Sequence, residues 1–158
     1  MTFDNGRTIV WLRLRLFIAT LIMLVYVYVV YFGKYLRFPV LGIEEVHATL
    51  TLTAAYLILA FLPLMLRYQY IYFSDDGRHI IFRYYSVGLF SGKKRALEIP
   101  KSEFMGYRLK KYFPGLVKSI QLYRVMGNKK ASYTPVYVSS LSNSELRKIT
   151  VALDRYVN

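Results

Sequence analysis

Few side chains in this sequence are spaced to do chemistry. His47 follows Glu44 and Glu45 by three and two residues, a grouping with the flavour of a metal site. The trio opens a long apolar run, however, where acidic residues suit the positive end of a helix. His79 follows a turn and has no partner motif, and the spacing of Ser140, Ser142 and Ser144 is that of turn and helix-cap chemistry. There is no cysteine, which excludes disulfides, thiolate metal sites and cysteine nucleophiles. The sequence also lacks a glycine-rich phosphate loop and a pair of carboxylates placed for acid–base work. It predicts no catalytic residue, no metal site, no cofactor and no enzymatic activity.

The chemistry on offer is that of cations beside aromatic rings. Arg67, Lys93-Lys94-Arg95, Arg108, Lys110-Lys111 and Lys129-Lys130 form basic clusters, and Tyr112 and Phe113 directly follow Lys110-Lys111. Each such cation contributes about 1 kcal/mol when it lies against anionic lipid. On a solvated face it would do no more than follow the charge bias of cytoplasmic segments. Lys and Arg interleaved with Tyr also suit single-stranded nucleic acid, but no RNP-like, KH or zinc pattern accompanies them, and nucleic acid is disfavoured as a partner.

These clusters are unevenly distributed. The chain has 22 basic and 9 acidic residues, of which 16 and 6 fall in residues 68–158, leaving that segment at a formal +10. A surface this basic suits an anionic partner. The apolar residues concentrate before position 67, so the sequence divides into an apolar part, 1–67, and a basic part, 68–158.

Two segments of the first part are built for a membrane. Residues 16–32 carry no ionisable charge and span about 26 Å as a helix, against a hydrocarbon core of about 30 Å. Arg13 and Arg15 can snorkel, extending the helix to about 10–33. Residues 48–66 form the second, within a helix of about 47–66 that Pro63 should bend near its exit. Trp11 at one end of the first helix and Tyr31 and Tyr35 at the other fit the aromatic belt of a bilayer. The first segment lacks the small-x-small site of a cleaved signal peptide. Arg7, Arg13 and Arg15 before it, and Arg67 with the basic part after the second, predict that both termini are cytoplasmic at the inner membrane. No charge sits mid-span, which argues against transport by this chain alone.

From Tyr68 the period changes to alternation. Residues 68–73, the turn Asp75-Asp76-Gly77-Arg78 and residues 79–85 have the signature of a β-hairpin. Further strands are predicted at 95–99, 104–111, 117–126 and 131–138, with 88–94 a loop, Phe113-Pro114-Gly115 and Gly127-Asn128-Lys129-Lys130 turns, and Pro135 marking an edge or a bulge. Ser142 with Glu145 three residues on is a capping box, and Leu146, Ile149, Leu153 and Tyr156 follow at helical spacing.

Hairpins closed by one amphipathic helix give an order that resembles the pleckstrin-homology-like fold. More narrowly, it resembles bacterial PH-domain membrane proteins, in which a two-helix anchor precedes such a domain. The matching stretches are Tyr70-Ile71-Tyr72-Phe73-Ser74-Asp75-Asp76-Gly77, Arg95-Ala96-Leu97-Glu98-Ile99-Pro100 before Lys101-Ser102-Glu103-Phe104, and Ser140-Leu141-Ser142, within about residues 15–158. The resemblance implies an α+β membrane protein: a transmembrane helical hairpin, then a PH-like antiparallel β-barrel with a C-terminal capping helix. No catalytic signature comes with it. Where inositide-binding PH domains carry basic residues, the first hairpin turn here is mostly acidic. The expected function is a non-enzymatic, membrane-anchored module that holds a protein partner or further copies of itself. A peripheral sensor of anionic lipid and an accessory subunit of a larger membrane complex are the alternatives.

Overall fold

The computed structural model describes the chain except residues 41, 88–91, 114, 128 and 158. It divides into two compact units, one of Val10–Leu62 and one joining Met1–Ile9 to Pro63–Asn158.

The first unit is helical. Helix α1, Gly6–Val27, continues as a π-helical turn over Tyr28–Phe32, and α2 spans Glu45–Met65. Both are long and apolar enough to cross a membrane. At 1.5 Å per residue, the 27 residues of Gly6–Phe32 and the 21 of α2 extend about 40 and 32 Å. Hydroxyls join them: Tyr26 and Tyr31 lie 2.8 and 3.0 Å from the Thr49 hydroxyl, and Thr20 lies 3.2 Å from that of Tyr56. Such bonds are the usual polar link between helices that lack a hydrophobic drive to associate in lipid.

The second unit holds two antiparallel sheets and a helix. Strands β1 (Thr2–Asp4), β2 (Gln69–Ser74), β3 (His79–Ser86) and β4 (Arg95–Pro100) form the first sheet in that order. The second contains β5 (Phe104–Tyr112), β6 (Val117–Met126) and β7 (Lys129–Ser132), with β8 (Val136–Tyr137) also on β6. Helix α3, Asn143–Asp154, is held at its start by the full capping box of Ser142 and Glu145. Alternation along the strands turns Ile71, Phe73, Ile80, Phe82, Ile120 and Leu122 inward, where Ile149 and Leu153 of α3 meet them. Each such side chain contributes about 1.5–3 kcal/mol by leaving water.

Two expectations are corrected. The strands do not close into a barrel. A turn at Lys101–Glu103 carries the chain from one sheet to the other, and the free edge of β2 is taken by β1, paired Thr2 to Ser74 and Asp4 to Tyr72. The strand predicted at 131–138 is two strands, because Thr134 and Pro135 interrupt it and Pro135 has no N–H for the ladder. Parts of the 88–94 loop, together with Pro114 and Asn128 of the predicted turns, lie outside the described residues.

Candidate functional site

Two short stretches lead from the sheet unit to the helices, and both are fixed to the sheet by polar groups, buried in the first stretch and partly exposed in the second. Asn5, just before α1, is 1% exposed and uses its whole side-chain amide. Its Nδ2 donates to the Gln69 carbonyl at 3.0 Å and to the Ser140 hydroxyl at 2.9 Å, and its Oδ1 accepts from the Ile71 N–H at 2.8 Å. Ser140 in turn donates to the Gln69 carbonyl at 2.6 Å. A buried network with every member satisfied gives a defined geometry. It ties the start of α1, the start of β2 and the lead into α3 to one point.

The second stretch follows α2. Tyr68 N–H donates to the Pro63 carbonyl at 2.8 Å and Arg67 N–H to the Leu64 carbonyl at 3.1 Å, the bond pair of a Schellman cap. The left-handed residue of that cap is Arg67, with φ 51°, where glycine is usual. Its guanidinium lies 4.7 Å from the centroid of the Tyr137 ring and donates to the Tyr137 hydroxyl. The Tyr137 N–H also donates to Gln69 Oε1 at 2.9 Å.

These attachments define a root end of the sheet unit, and strand direction sorts the predicted site residues between it and the far end. Strand β2 leaves the root at Gln69, and β3 returns to it, with Val87 N–H donating to the Tyr68 carbonyl at 2.8 Å. Strand β4 leaves from Arg95 and finishes at Pro100, opposite His79. Strand β5 then runs back, so that Lys110 and Tyr137 flank Ser119 on β6. The loop holding Lys93 and Lys94, the start of β4 at Arg95, and the tip after Tyr112 therefore belong to the root end with Arg67. Lys129 and Lys130 open β7 opposite Met126 and Val125, seven and six residues along β6 from Ser119. At about 3.3 Å per residue they stand some 20 Å or more away. Arg108, opposite Gln121, lies partway along β5. The predicted basic set is thus two groups at opposite ends, with Arg108 between them.

The ends differ in charge. Asp75 and Asp76 form the turn after β2, Glu103 precedes β5, and Asp154 ends α3. The Lys101 ammonium reaches the Tyr156 hydroxyl at 3.1 Å, which places the exit of α3 beside the chain's crossing from β4 to β5. Arg124 pairs with Glu103 at 3.6 Å, and the Lys130 ammonium lies 4.4 Å from the Tyr123 ring centroid. Four of the six acidic residues of 68–158 are therefore at the far end, so the basic excess is greatest at the root.

A further surface is the outer face of the first sheet. Tyr70 and Tyr85 oppose one another across β2 and β3, with ring centroids 4.9 Å apart and planes at 24°. Arg83 opposes Tyr72 and lies 5.8 Å from its ring centroid. With Lys94, Arg95 and Ala96 they line a cavity of about 460 Å³. Burial, then the charge of Asp4, pushes the Tyr70 phenol above its ordinary pKa. The tyrosines were legible in sequence as strand residues; their grouping with Arg83 depends on register.

Among the helical residues singled out by sequence, Trp11 is in the second turn of α1, Tyr31 in the π-helical turn and Tyr35 just beyond it. Glu44 and His47 form an exposed pair at 3.6 Å before and within the first turn of α2. No group of three or more His, Cys, Asp or Glu placed to hold a metal occurs among the described residues. Comparison with family models, curated proteins and solved structures finds no match for this chain.

Proposed function

We propose that this chain is a non-enzymatic, membrane-anchored interaction module, which holds a protein partner or a second copy of itself at the inner face of the membrane. The observation that carries the reading is the Tyr70, Tyr72, Arg83 and Tyr85 face. Tyr and Arg are the residue types that dominate interface energetics, and here they line an open cavity on the outer face of the first sheet. The anchor is the α1–α2 hairpin, whose apolar side chains are largely exposed and need lipid around them. Cytoplasmic termini follow from the positive flanks. Two antiparallel sheets and a C-terminal helix support a PH-like domain of the bacterial two-helix family.

Site-specific photo-crosslinking tests this in intact membranes. A benzophenone side chain at Tyr72 should give a discrete protein adduct that Arg83→Ala strongly reduces. An adduct of twice the chain mass would mean a second copy, and a larger one a subunit role in a membrane complex. Crosslinks to phospholipid alone would favour the lipid sensor, the reading that the basic root end supports. Recovery of nothing but free monomer would count against the module.

A further inference from the structure

We infer that the β5–β6 hairpin is a third point of membrane contact: Tyr112, Phe113 and Leu116 enter the interface of an anionic bilayer, with Lys110, Lys111 and Lys118 on its headgroups. The inference rests on the membrane-anchored reading and adds the pose of the sheet unit to it. Three observations combine. First, Phe113 is 78%, Leu116 61% and Tyr112 45% exposed, three large apolar side chains within five residues at the tip of a hairpin. Along β2, β3 and the middle of β6, by contrast, the large aliphatic side chains and the phenylalanines alternate into a shared core. Second, cations bracket the tip: Lys110 and Lys111 precede it, and Lys118, opposite Lys111 in register, follows it. Apolar and aromatic residues rimmed by lysine are the composition of an interfacial anchor, in which rings sit at headgroup level and lysine stems bury while their ammonium groups meet phosphate.

Third, the tip is at the root end. The pairs Lys110–Ser119 and Ser119–Tyr137 lie two residues from the last pair of the hairpin, Tyr112–Val117, and Tyr137 is the residue on which Arg67 rests. The opposite hairpin also exposes an apolar pair, Val125 and Met126, next to Lys129 and Lys130. That hairpin projects from the far end, where Asp75, Asp76, Glu103 and Asp154 offset most of the cations and weaken attraction to a negative surface. Charge and direction together select the first tip.

The chain has one tryptophan, Trp11, on α1, which makes a single-indole experiment possible. The full chain is placed in nanodiscs of anionic phospholipid brominated on the acyl chain near the headgroup. Three proteins are compared: the natural chain, W11F/F113W and W11F/M126W. Phe113 and Met126 are both exposed, so neither replacement disturbs the core. The expected result is quenched, blue-shifted emission for Trp11 and for F113W, and unquenched, red-shifted emission for M126W. F113W quenching should weaken when zwitterionic lipid replaces anionic lipid. Unquenched F113W beside quenched Trp11 overturns this inference and leaves the anchor standing, and blue-shifted F113W emission in that case would indicate contact with a second copy. Quenching of F113W and M126W alike also overturns it, as collapse onto lipid without a defined pose. Unquenched Trp11 overturns the membrane-anchored reading itself.

Discussion

Arg67 shows how one residue can serve two requirements that conflict. The Schellman cap of α2 needs a left-handed residue, and a side chain there costs about 1 kcal/mol that glycine does not. The compensation visible in the structure is the guanidinium over Tyr137, in a cation–π geometry worth about 0.5–2 kcal/mol. The two terms separate by substitution. Arg67→Ala loses the Tyr137 contact and keeps the backbone penalty, whereas Arg67→Gly loses the contact and relieves the penalty. R67A should therefore be about 1 kcal/mol less stable than R67G, measured from denaturant midpoints of the full chain in detergent. Equal stabilities would mean that φ at this position is not set by the cap. Asn5 makes the complementary point about burial. Its three hydrogen bonds reach Ile71, Gln69 and Ser140, residues separated from it by 64 or more positions, so no local pattern could have marked it.

At the scale of elements, legibility followed length and period. Strand β6 at Val117–Met126 and the Ser142 cap of α3 lie where alternation and the capping box put them. Strand β1 was missed because Thr2-Phe3-Asp4 is too short to display a period, and its pairing with β2 arises only once the helices have returned the chain. The two-ended division of the basic clusters is partly legible in the sequence: consecutive hairpins alternate in direction, so counting turns separates Lys110-Lys111 from Lys129-Lys130. The join between α3 and β5 could not be counted in this way. There the Tyr107 hydroxyl donates to Asp154 at 2.8 Å. Burial first, and then that hydrogen bond and the charge of Asp154, push the Tyr107 phenol from 10.0 up to about 12. In the unfolded chain the phenol ionises near 10, so between pH 10 and about 12 the unfolded state holds fewer protons than the folded one. Stability contributed by this group is complete below pH 10 and is lost as pH rises through that window. Denaturant midpoints of the natural chain should fall more steeply there than those of Tyr107→Phe. Parallel curves would remove Tyr107 as the titrating group.

For the whole molecule, the decisive fact is that one sheet is sewn together from both sides of the helical hairpin. Thr2 precedes α1 and Ser74 follows α2, yet the two stand opposite one another in register, with hydroxyl oxygens 3.5 Å apart. A chain whose two helices both cross a bilayer can make that pairing only if its ends emerge on the same side. The strand pairing requires a shared side for the two ends; that this side is the cytoplasmic one is the expectation from charge alone. Because the natural chain has no cysteine, the pairing can be trapped directly. Opposed residues of adjacent antiparallel strands have Cβ atoms about 4.5–5.5 Å apart, close enough for a disulfide after a small adjustment. In isolated membranes, mild oxidation of T2C/S74C should produce a reducible cross-link within single chains, while T2C/E44C should produce none, because Glu44 lies on the connection between the helices. Labelling by a membrane-impermeant maleimide then assigns the sides: E44C should react in intact cells and K130C only after lysis. A T2C/S74C pair that stays reduced would break the link between fold and topology, and a reversed labelling pattern would invert the orientation while leaving the fold intact.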